Sequence, residues 1–277
     1  MTTPRGWSRN ISPRPPSPPN KRRATGGSSL DAVIIAAGFG SRISALSDSK
    51  PLTPVAGIPL IELGIRQLAA AGVTRVVVVT GHEGERVEAF LASLARRTGM
   101  AIHAERVSDW SKPNGFSVIA GADRVAALGG GDFLLVMADH MFSAEILRRL
   151  AAEGSPERGV TLAVDRRVDN PLVDPDDATW VQTGPDGRIV AIGKTIPVYD
   201  AVDCGAFLVT PELPEAIAAA IAAGKGGSLS DGMQVLADRG RAATMEIAGA
   251  WWLDVDDPRA HAIAEAEAPA QLNLVSG

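Results

Sequence analysis

Three groups of residues in this 277-residue chain have types and spacings that could handle phosphates. The first reads Ala36-Ala37-Gly38-Phe39-Gly40-Ser41-Arg42, with Lys50-Pro51-Leu52 eight residues further on. Glycines after a strand let backbone N–H groups approach phosphate oxygens, and a following helix N-terminus adds favourable partial charge. A Gly-x-Gly alone fits an ordinary tight turn. The loop is neither a Walker A loop nor a complete dinucleotide fingerprint, because a third glycine is missing. Arg42 and Lys50 change its meaning. A guanidinium able to bind bidentately and a compact ammonium beside a glycine loop suit a triphosphate better than two solvated surface cations would.

The second group is acidic. Asp139 follows the apolar run Phe133–Met137, which puts a carboxylate in the crevice at the carboxyl edge of a parallel sheet. Asp254 and Asp256 follow Trp251-Trp252, and a spacing of two sets both on one strand face. Carboxylates converging near phosphates suit Mg²⁺, which takes few protein oxygens and keeps places for substrate. Helix capping is the competing explanation: Asp139 ahead of a helix over Met141–Leu150, and Asp254 or Asp256 ahead of the helix opened by Pro258.

The third group would meet the rest of the substrates. Asn114-Gly115-Phe116-Ser117 offers an amide, a flexible glycine and a hydroxyl to the Watson–Crick edge of a pyrimidine, or simply a turn and cap for the helix after it. Lys194 is either a ligand for the phosphate of an acceptor or a solvated hairpin end. Asp203 either accepts hydrogen bonds from acceptor hydroxyls or is an edge-strand carboxylate. His82, His103, His140 and His261 share no metal-ligand spacing and read as structural, with His140 set apart because it adjoins Asp139. Cys204 reads as a small buried side chain, and the Trp251-Trp252 pair as packing.

These groups need a scaffold, and the chain spells one from Asp31 onward. Apolar runs at Ala32–Ala36, Val73–Thr80 and Phe133–Met137 lack polar alternation, and helical patterns at Leu60–Ala71 and Glu85–Arg97 separate them. Such strands belong to a parallel sheet covered on both faces. Further on, Ala178–Thr183 and Arg188–Ile192 flank Gly184-Pro185-Asp186-Gly187, a hairpin signal. Val202–Thr210 is another strand, Pro211 opens an Ala-rich helix, and Trp251–Val255 is a last short strand before the helix from Pro258. The expected fold is α/β: a Rossmann-like, open, mixed and mostly parallel sheet with helices on both faces. Antiparallel elements over residues 160–250 would form an acceptor-binding lobe.

Composition bounds the rest. Hydrophobic residues make up 45% of the chain and aromatics only 4%, so Ala, Val, Gly and Leu must fill a sizeable core. No apolar run approaches the ~18 residues that span a bilayer, and no signal-peptide stretch opens the chain. A single cysteine excludes an internal disulfide, and the simplest location is the cytoplasm. The net charge of −5 divides into +6 over residues 1–30 and −11 elsewhere, and an acidic body argues against nucleic-acid binding. The first 30 residues, rich in Pro, Ser and Arg, read as disordered, or as a basic tether to anionic lipid or a partner. Residues 31–266 read as the catalytic domain and 267–277 as a tail.

The stretch Ala36–Arg42, then Lys50-Pro51-Leu52, then Gly57-Ile58-Pro59-Leu60-Ile61 resembles the signature of nucleotide-sugar-type nucleotidyltransferases. Asn114–Ser117, Val136-Met137-Ala138-Asp139-His140 and Ile192-Gly193-Lys194 look like the CTP:inositol-1-phosphate cytidylyltransferase branch of that superfamily. Tyr199–Gly205 and Trp252–Asp256 do so too, and phosphocholine cytidylyltransferases are similar in some of these. The resemblance covers Asp31 to about Glu265. It implies transfer of CMP from CTP to a phosphorylated alcohol, most simply inositol 1-phosphate, with Mg²⁺ as cofactor. By resemblance, Asp139 and either Asp254 or Asp256 bind the metal. Ala36, Ala37, Gly38, Gly40, Ser41, Asn114, Gly115 and Ser117 would bind nucleotide. Arg42, Lys50 and Lys194 would act in catalysis, and Lys194, Asp203 and Gly205 would hold the acceptor. A sugar 1-phosphate or phosphocholine transferase, or a non-catalytic nucleotide sensor, are the alternatives. Some enzymes of this branch are fused to a membrane phosphatidyltransferase; here that partner would be a separate protein.

Overall fold

The computed structural model describes residues 30–43, 47–154 and 158–274. The segment read as disordered lies outside them, except Leu30, which already belongs to the first strand.

The first half is β1 (Leu30–Ala36), a two-residue hairpin of β2 (Pro54–Val55) and β3 (Ile58–Pro59), and α1 (Leu60–Ala70). Then come β4 (Val73–Thr80), α2 (Gly84–Thr98), β5 (Ala101–Arg106), α3 (Asn114–Ala127) and β6 (Phe133–Met137). The second half has β7 (His140–Phe142), α4 (Ala144–Glu153), β8 (Val160–Asp165), β9 (Trp180–Thr183), β10 (Ile189–Gly193) and β11 (Ala201–Val209). It closes with α5 (Glu212–Ala222), α6 (Leu229–Asp238), β12 (Ala242–Glu246), β13 (Trp252–Asp254) and α7 (Pro258–Gln271). Residues 267–271 therefore continue a helix rather than form a tail.

Nine strands make one sheet. β6, β1, β4 and β5 run parallel, and β11 joins β6 antiparallel. Strand β11 carries β8 along its other side, and at Ala201 and Val202 it pairs β9 where β6 has ended. The candidate lobe is thus a continuation of the same sheet, which is the mixed, mostly parallel architecture the sequence implied.

The apolar runs dictate the layers. Val76–Val79 alternate between the two faces of a strand buried on both. On one face Val76 and Val78 join Ile61, Leu68, Leu91 and Leu147. On the other, Val77 and Val79 join Val118, Val125, Ile217 and Leu236. A third core lies beneath α7, where Ala264 and Ala268 meet Ile43, Val55, Leu63, Leu253 and Val255. Asp257, neither Asp254 nor Asp256, caps α7: its carboxylate accepts from the Ala260 N–H at 2.7 Å. That frees the other two acids for the crevice.

Candidate active site

The loop after β1 is built around two glycines with different tasks. Gly40 has φ +65°, and a Cβ there would fall 2.7 Å from Cβ of Lys50, so the missing side chain lets the lysine stem pass. Gly38 has no atom within 4 Å of its notional Cβ and lines two adjoining cavities, of about 350 and 100 Å³. Ala36 and Ala37 are buried, and Ala36 helps line the smaller cavity. The expected helix N-terminus does not follow the loop. Ser41–Ile43 form a single 3₁₀ turn, and the first α-helix begins only at Leu60. The loop offers an anion backbone N–H groups and side-chain cations rather than a helix N-terminus.

Lys50 reaches across to Asp139, with Nζ 2.6 Å from Oδ2 and the lysine side chain 13% exposed. Burial alone would lower the Lys50 pKa, but Asp139, with Asp254 and Asp256, outweighs it and holds the ammonium charged.

Asp139 does not cap a helix. Met137 and Ala138 lead into a turn, His140–Phe142 form β7, and the helix starts at Ala144. A short antiparallel ladder of β7 and β13 then sets the site: Asp254 lies opposite His140, and the Val255 N–H donates to the Asp139 carbonyl at 2.9 Å. Residues more than a hundred positions apart in sequence are brought together this way. His140 Nδ1 donates to Asp139 Oδ1 at 2.8 Å and lies 3.6 Å from Asp254 Oδ1.

The His140 ring sits against Gly205, where a Cβ would fall 2.4 Å from Cδ2. Gly205 has φ +76° and lies within the irregularity between Asp203 and Phe207 of β11. Its N–H donates to Asp203 Oδ1 at 2.7 Å. Asp203 is therefore on an interior strand and lines the larger cavity, contrary to the edge-strand alternative.

The charges in this crevice are strongly coupled. Burial would raise Asp139, yet Lys50 and His140 hold it far below the usual carboxylate range. Burial would lower His140, but Asp254, Asp139 and Asp203 push it up to about 9. Asp254 is raised to about 7, chiefly by burial and against the pull of His140, and burial raises Asp203 to about 6. Asp254 Oδ1 is buried without a hydrogen-bond partner among the described residues. Such an orphaned oxygen is costly unless a cation or a proton satisfies it. Asp139, His140 and Asp254 offer ligand atoms within 4.8 Å of one another, as do Asp177, Asp254 and Asp256. This oxygen-rich set fits a hard divalent cation.

Arg42 and Lys194 meet at a residue the motifs did not mark. Arg42 Nη2 is 2.5 Å from Asp177 Oδ2 and 2.5 Å from Asp256 Oδ2, and Lys194 Nζ bonds Asp177 Oδ1. Asp177 lies in an irregular loop between β8 and β9 with no local signature; its only signal was density of acids over Asp174-Pro175-Asp176-Asp177.

The Asn114–Ser117 tract opens α3, but Asn114 does not cap its own helix. Its Oδ1 accepts from the Leu229 N–H at 2.8 Å, at the start of α6, while its side chain lines the large cavity. A Cβ on Gly115 would sit 2.2 Å from the Gly227 carbonyl oxygen, so this glycine allows close packing of α3 on the turn before α6. Ser117 is buried. Trp252 is buried, and its indole N–H donates to Asp165 at 3.0 Å. Cys204 is buried.

A crevice at the carboxyl edge of a mostly parallel sheet, with loop glycines, two cations and converging carboxylates, defines a phosphate-handling α/β protein. Residues 32–184 match the MobA-like NTP transferase domain, and the chain belongs to that family. A bifunctional IPC transferase and DIPP synthase of Rubrobacter xylanophilus is 35% identical over 86% of this chain and 51% of its own length. That of Aquifex aeolicus is 32% identical over 82% of this chain and 49% of its own length. The chain thus spans about half the length of these curated relatives. The inositol-1-phosphate CTP transferase structure from T. maritima superposes with a TM-score of 0.75 at 23% identity, covering 89% of this chain and 98% of that one, which shows the fold. No described helix is long and apolar enough to cross a membrane.

Proposed function

We propose that this chain transfers CMP from CTP to a phosphorylated alcohol, most simply inositol 1-phosphate, releasing pyrophosphate. The observation that carries the reading is the convergence of Asp139, Asp254 and Asp256 on the cavity beside Gly38, with Lys50 paired to Asp139 and Arg42 to Asp256. The match to relatives named IPC transferase over most of this chain supports the choice of substrates.

The reaction is an in-line displacement. An oxygen of the acceptor phosphate forms a bond to the α-phosphorus, and the bond from that phosphorus to the bridging oxygen of pyrophosphate breaks. A phosphate monoester is already anionic near neutral pH, so no protein nucleophile or strong base is required. Catalysis rests on positioning and charge neutralisation. Loop N–H groups from Ala36 to Ser41 and the Arg42 and Lys50 cations bind the triphosphate. Lys50 neutralises charge developing on the α-phosphate. Lys194 holds the acceptor phosphate against the repulsion of the nucleotide, and Asp203 beside Gly205 accepts from acceptor hydroxyls. Asn114 keeps its amide N–H groups for the base, because its oxygen already serves Leu229.

Mg²⁺ would be held by Asp139 and Asp254, and would supply Lewis-acid charge at the phosphates. Asp254 Oδ1 and Asp256 Oδ2 are both buried without a hydrogen bond, and Asp254 is favoured because the Arg42 guanidinium already stands 2.5 Å from Asp256 Oδ2.

The CMP-5'-(3-aminopropyl)phosphonate synthase of Streptomyces rubellomurinus is 35% identical over 64% of this chain and 26% of its own length, which favours a phosphonate or other phospho-acceptor as second reading. The bifunctional relatives carry two named activities and this chain spans about half their length, so the first activity alone is assigned here. The test is a matrix of nucleotides against phosphorylated acceptors with Mg²⁺, following pyrophosphate and the CDP-alcohol by mass spectrometry. CTP with inositol 1-phosphate should be the fastest pair. Faster turnover of another acceptor would overturn the inositol assignment, and no turnover with any pair would overturn the reading itself.

A further inference from the structure

We infer that Asp177 is a positioning residue that fixes the separation of the two anion-binding cations, Arg42 on the nucleotide side and Lys194 on the acceptor side. The inference rests on the reading above for which substrate each cation meets. Its structural basis does not.

Each oxygen of the Asp177 carboxylate takes one cation: Oδ2 takes Arg42 at 2.5 Å and Oδ1 takes Lys194. Burial would raise the Asp177 pKa, but the two cations hold it below the usual carboxylate range, so it is ionised at neutral pH. One rigid carboxylate between two long, flexible cationic side chains removes rotamer freedom from both. Two phosphates that bind those cations then meet at a separation set by the protein.

The loop that carries Asp177 is anchored to β13 and α7. Asp165, buried at the end of β8, accepts from Arg167 at 2.8–2.9 Å, from Asn170 at 3.2 Å and from the Trp252 indole at 3.0 Å. Trp252 lies on β13, two residues before Asp254. Arg259 of α7 donates to the Pro171 carbonyl at 2.9 Å, and the Ala178 N–H donates to the Asp174 carbonyl at 2.9 Å. The position of Asp177 is therefore tied to β13 and α7 rather than left to a free loop.

The two cations depend on Asp177 unequally. Arg42 retains Asp256 at 2.5 Å and Asp174 at 3.8 Å. Lys194 has no other carboxylate partner among the described residues, and its side chain is 59% exposed. Removing Asp177 should therefore loosen the acceptor side more than the nucleotide side.

The test compares steady-state kinetics of wild type, Asp177→Asn, Asp177→Glu and the exposed charge control Asp176→Asn, using whichever phosphorylated acceptor the wild type turns over. In Asp177→Asn, KM for the acceptor should rise about tenfold and KM for the nucleotide less than about threefold. Asp177→Glu should recover part of the loss, and Asp176→Asn should match wild type. Equal rises for both substrates, no change, or a fall in either KM would overturn the role. A second readout needs no turnover: labelling of Lys194 by an amine-reactive reagent, read by peptide mass spectrometry, should be faster in Asp177→Asn than in wild type. Unchanged labelling would also overturn it. A wild type inactive with every substrate pair but with faster labelling in the variant would sink the reaction and leave the Asp177–Lys194 contact standing.

Discussion

Lys50 and Lys194 carry the same charge in opposite settings. Lys50 comes from a contiguous motif, is 13% exposed, and meets a carboxylate at the end of a buried strand. Lys194 comes from the rim of the antiparallel part, is 59% exposed, and meets a carboxylate from an irregular loop. A buried pair is strong because losing one partner strands the other charge, whereas an exposed pair contributes little to stability and is easily rearranged. On the proposed reading, the Lys50 pair on the nucleotide side is preformed and coupled to folding, while the Lys194 pair on the acceptor side is adjustable.

The sharpest way to break that comparison is to remove Asp139. Asp139→Ala should lower kcat/KM for pyrophosphate release by a factor of about 10³ or more. It should also cost roughly 3 kcal/mol in denaturant unfolding, because Lys50 and His140 lose their shared partner. Near-wild-type turnover would remove Asp139 from the metal and charge network together.

The two C-terminal acids should separate next. Asp254→Asn should reduce activity about a hundredfold and abolish any Mg²⁺-induced rise in Tm. Asp256→Asn should cost closer to tenfold, mainly in KM for the nucleotide through Arg42, and keep the Mg²⁺ response. The reverse order would make Asp256 the metal ligand.

Replacing the exposed cation should give the mirror image of Lys50. Lys194→Ala should raise KM for the acceptor about tenfold while leaving Tm nearly unchanged. Lys50→Ala should lower both Tm and activity. If Lys194→Ala destabilised the fold as much as Lys50→Ala, the contrast between the two sides would fail.

The smallest effect is on pH dependence. In metal-free protein Asp254 and Asp203 titrate at about 7 and 6, above their unfolded values, so the folded state binds the extra protons and stability falls as pH rises from about 4 toward 7. His140, raised to about 9, contributes stability fully below about 6.5 and loses it as pH rises through 9. The depressed Asp139 acts the other way, only in strong acid. Tm in EDTA should therefore drop between pH 5 and 9. Since Mg²⁺ requires an ionised Asp254, the Tm gain from Mg²⁺ should grow as pH passes about 7. A Mg²⁺ response independent of pH would argue against Asp254 as ligand.

Much of the region around Lys50 and Asp139 was legible in the sequence. The Ala36–Leu52 loop, the buried strands at Val73–Thr80 and Phe133–Met137, and the three acids lie in contiguous or strongly patterned stretches. Local chemistry fixes such features: a glycine with positive φ at Gly40, a strand apolar on both faces, an acid where the sheet ends. The misreadings were local as well. Met141–Leu150 has a helical apolar pattern, yet its first residues pair with β13, because a strand partner more than a hundred residues away outweighs a weak helix start. Asp257, beside the two acids singled out, was the true cap. Strands β5 and β12, made of Ala, His, Thr and Glu as much as of branched residues, carry little pattern of their own and exist because neighbouring strands offer them hydrogen bonds.

The sequence by itself determined a glycine loop flanked by two cations, a mostly parallel sheet and a set of acids suited to a divalent cation. Tertiary structure alone decided which of those acids share a site. The ladder that registers Asp254 opposite His140, the gap at Gly205 that admits the imidazole ring, and the contact of Asp177 with Arg42 and Lys194 are all long-range. None leaves a local signature, because each depends on loops closed across tens to more than a hundred residues, and that closure is supplied by packing elsewhere in the chain.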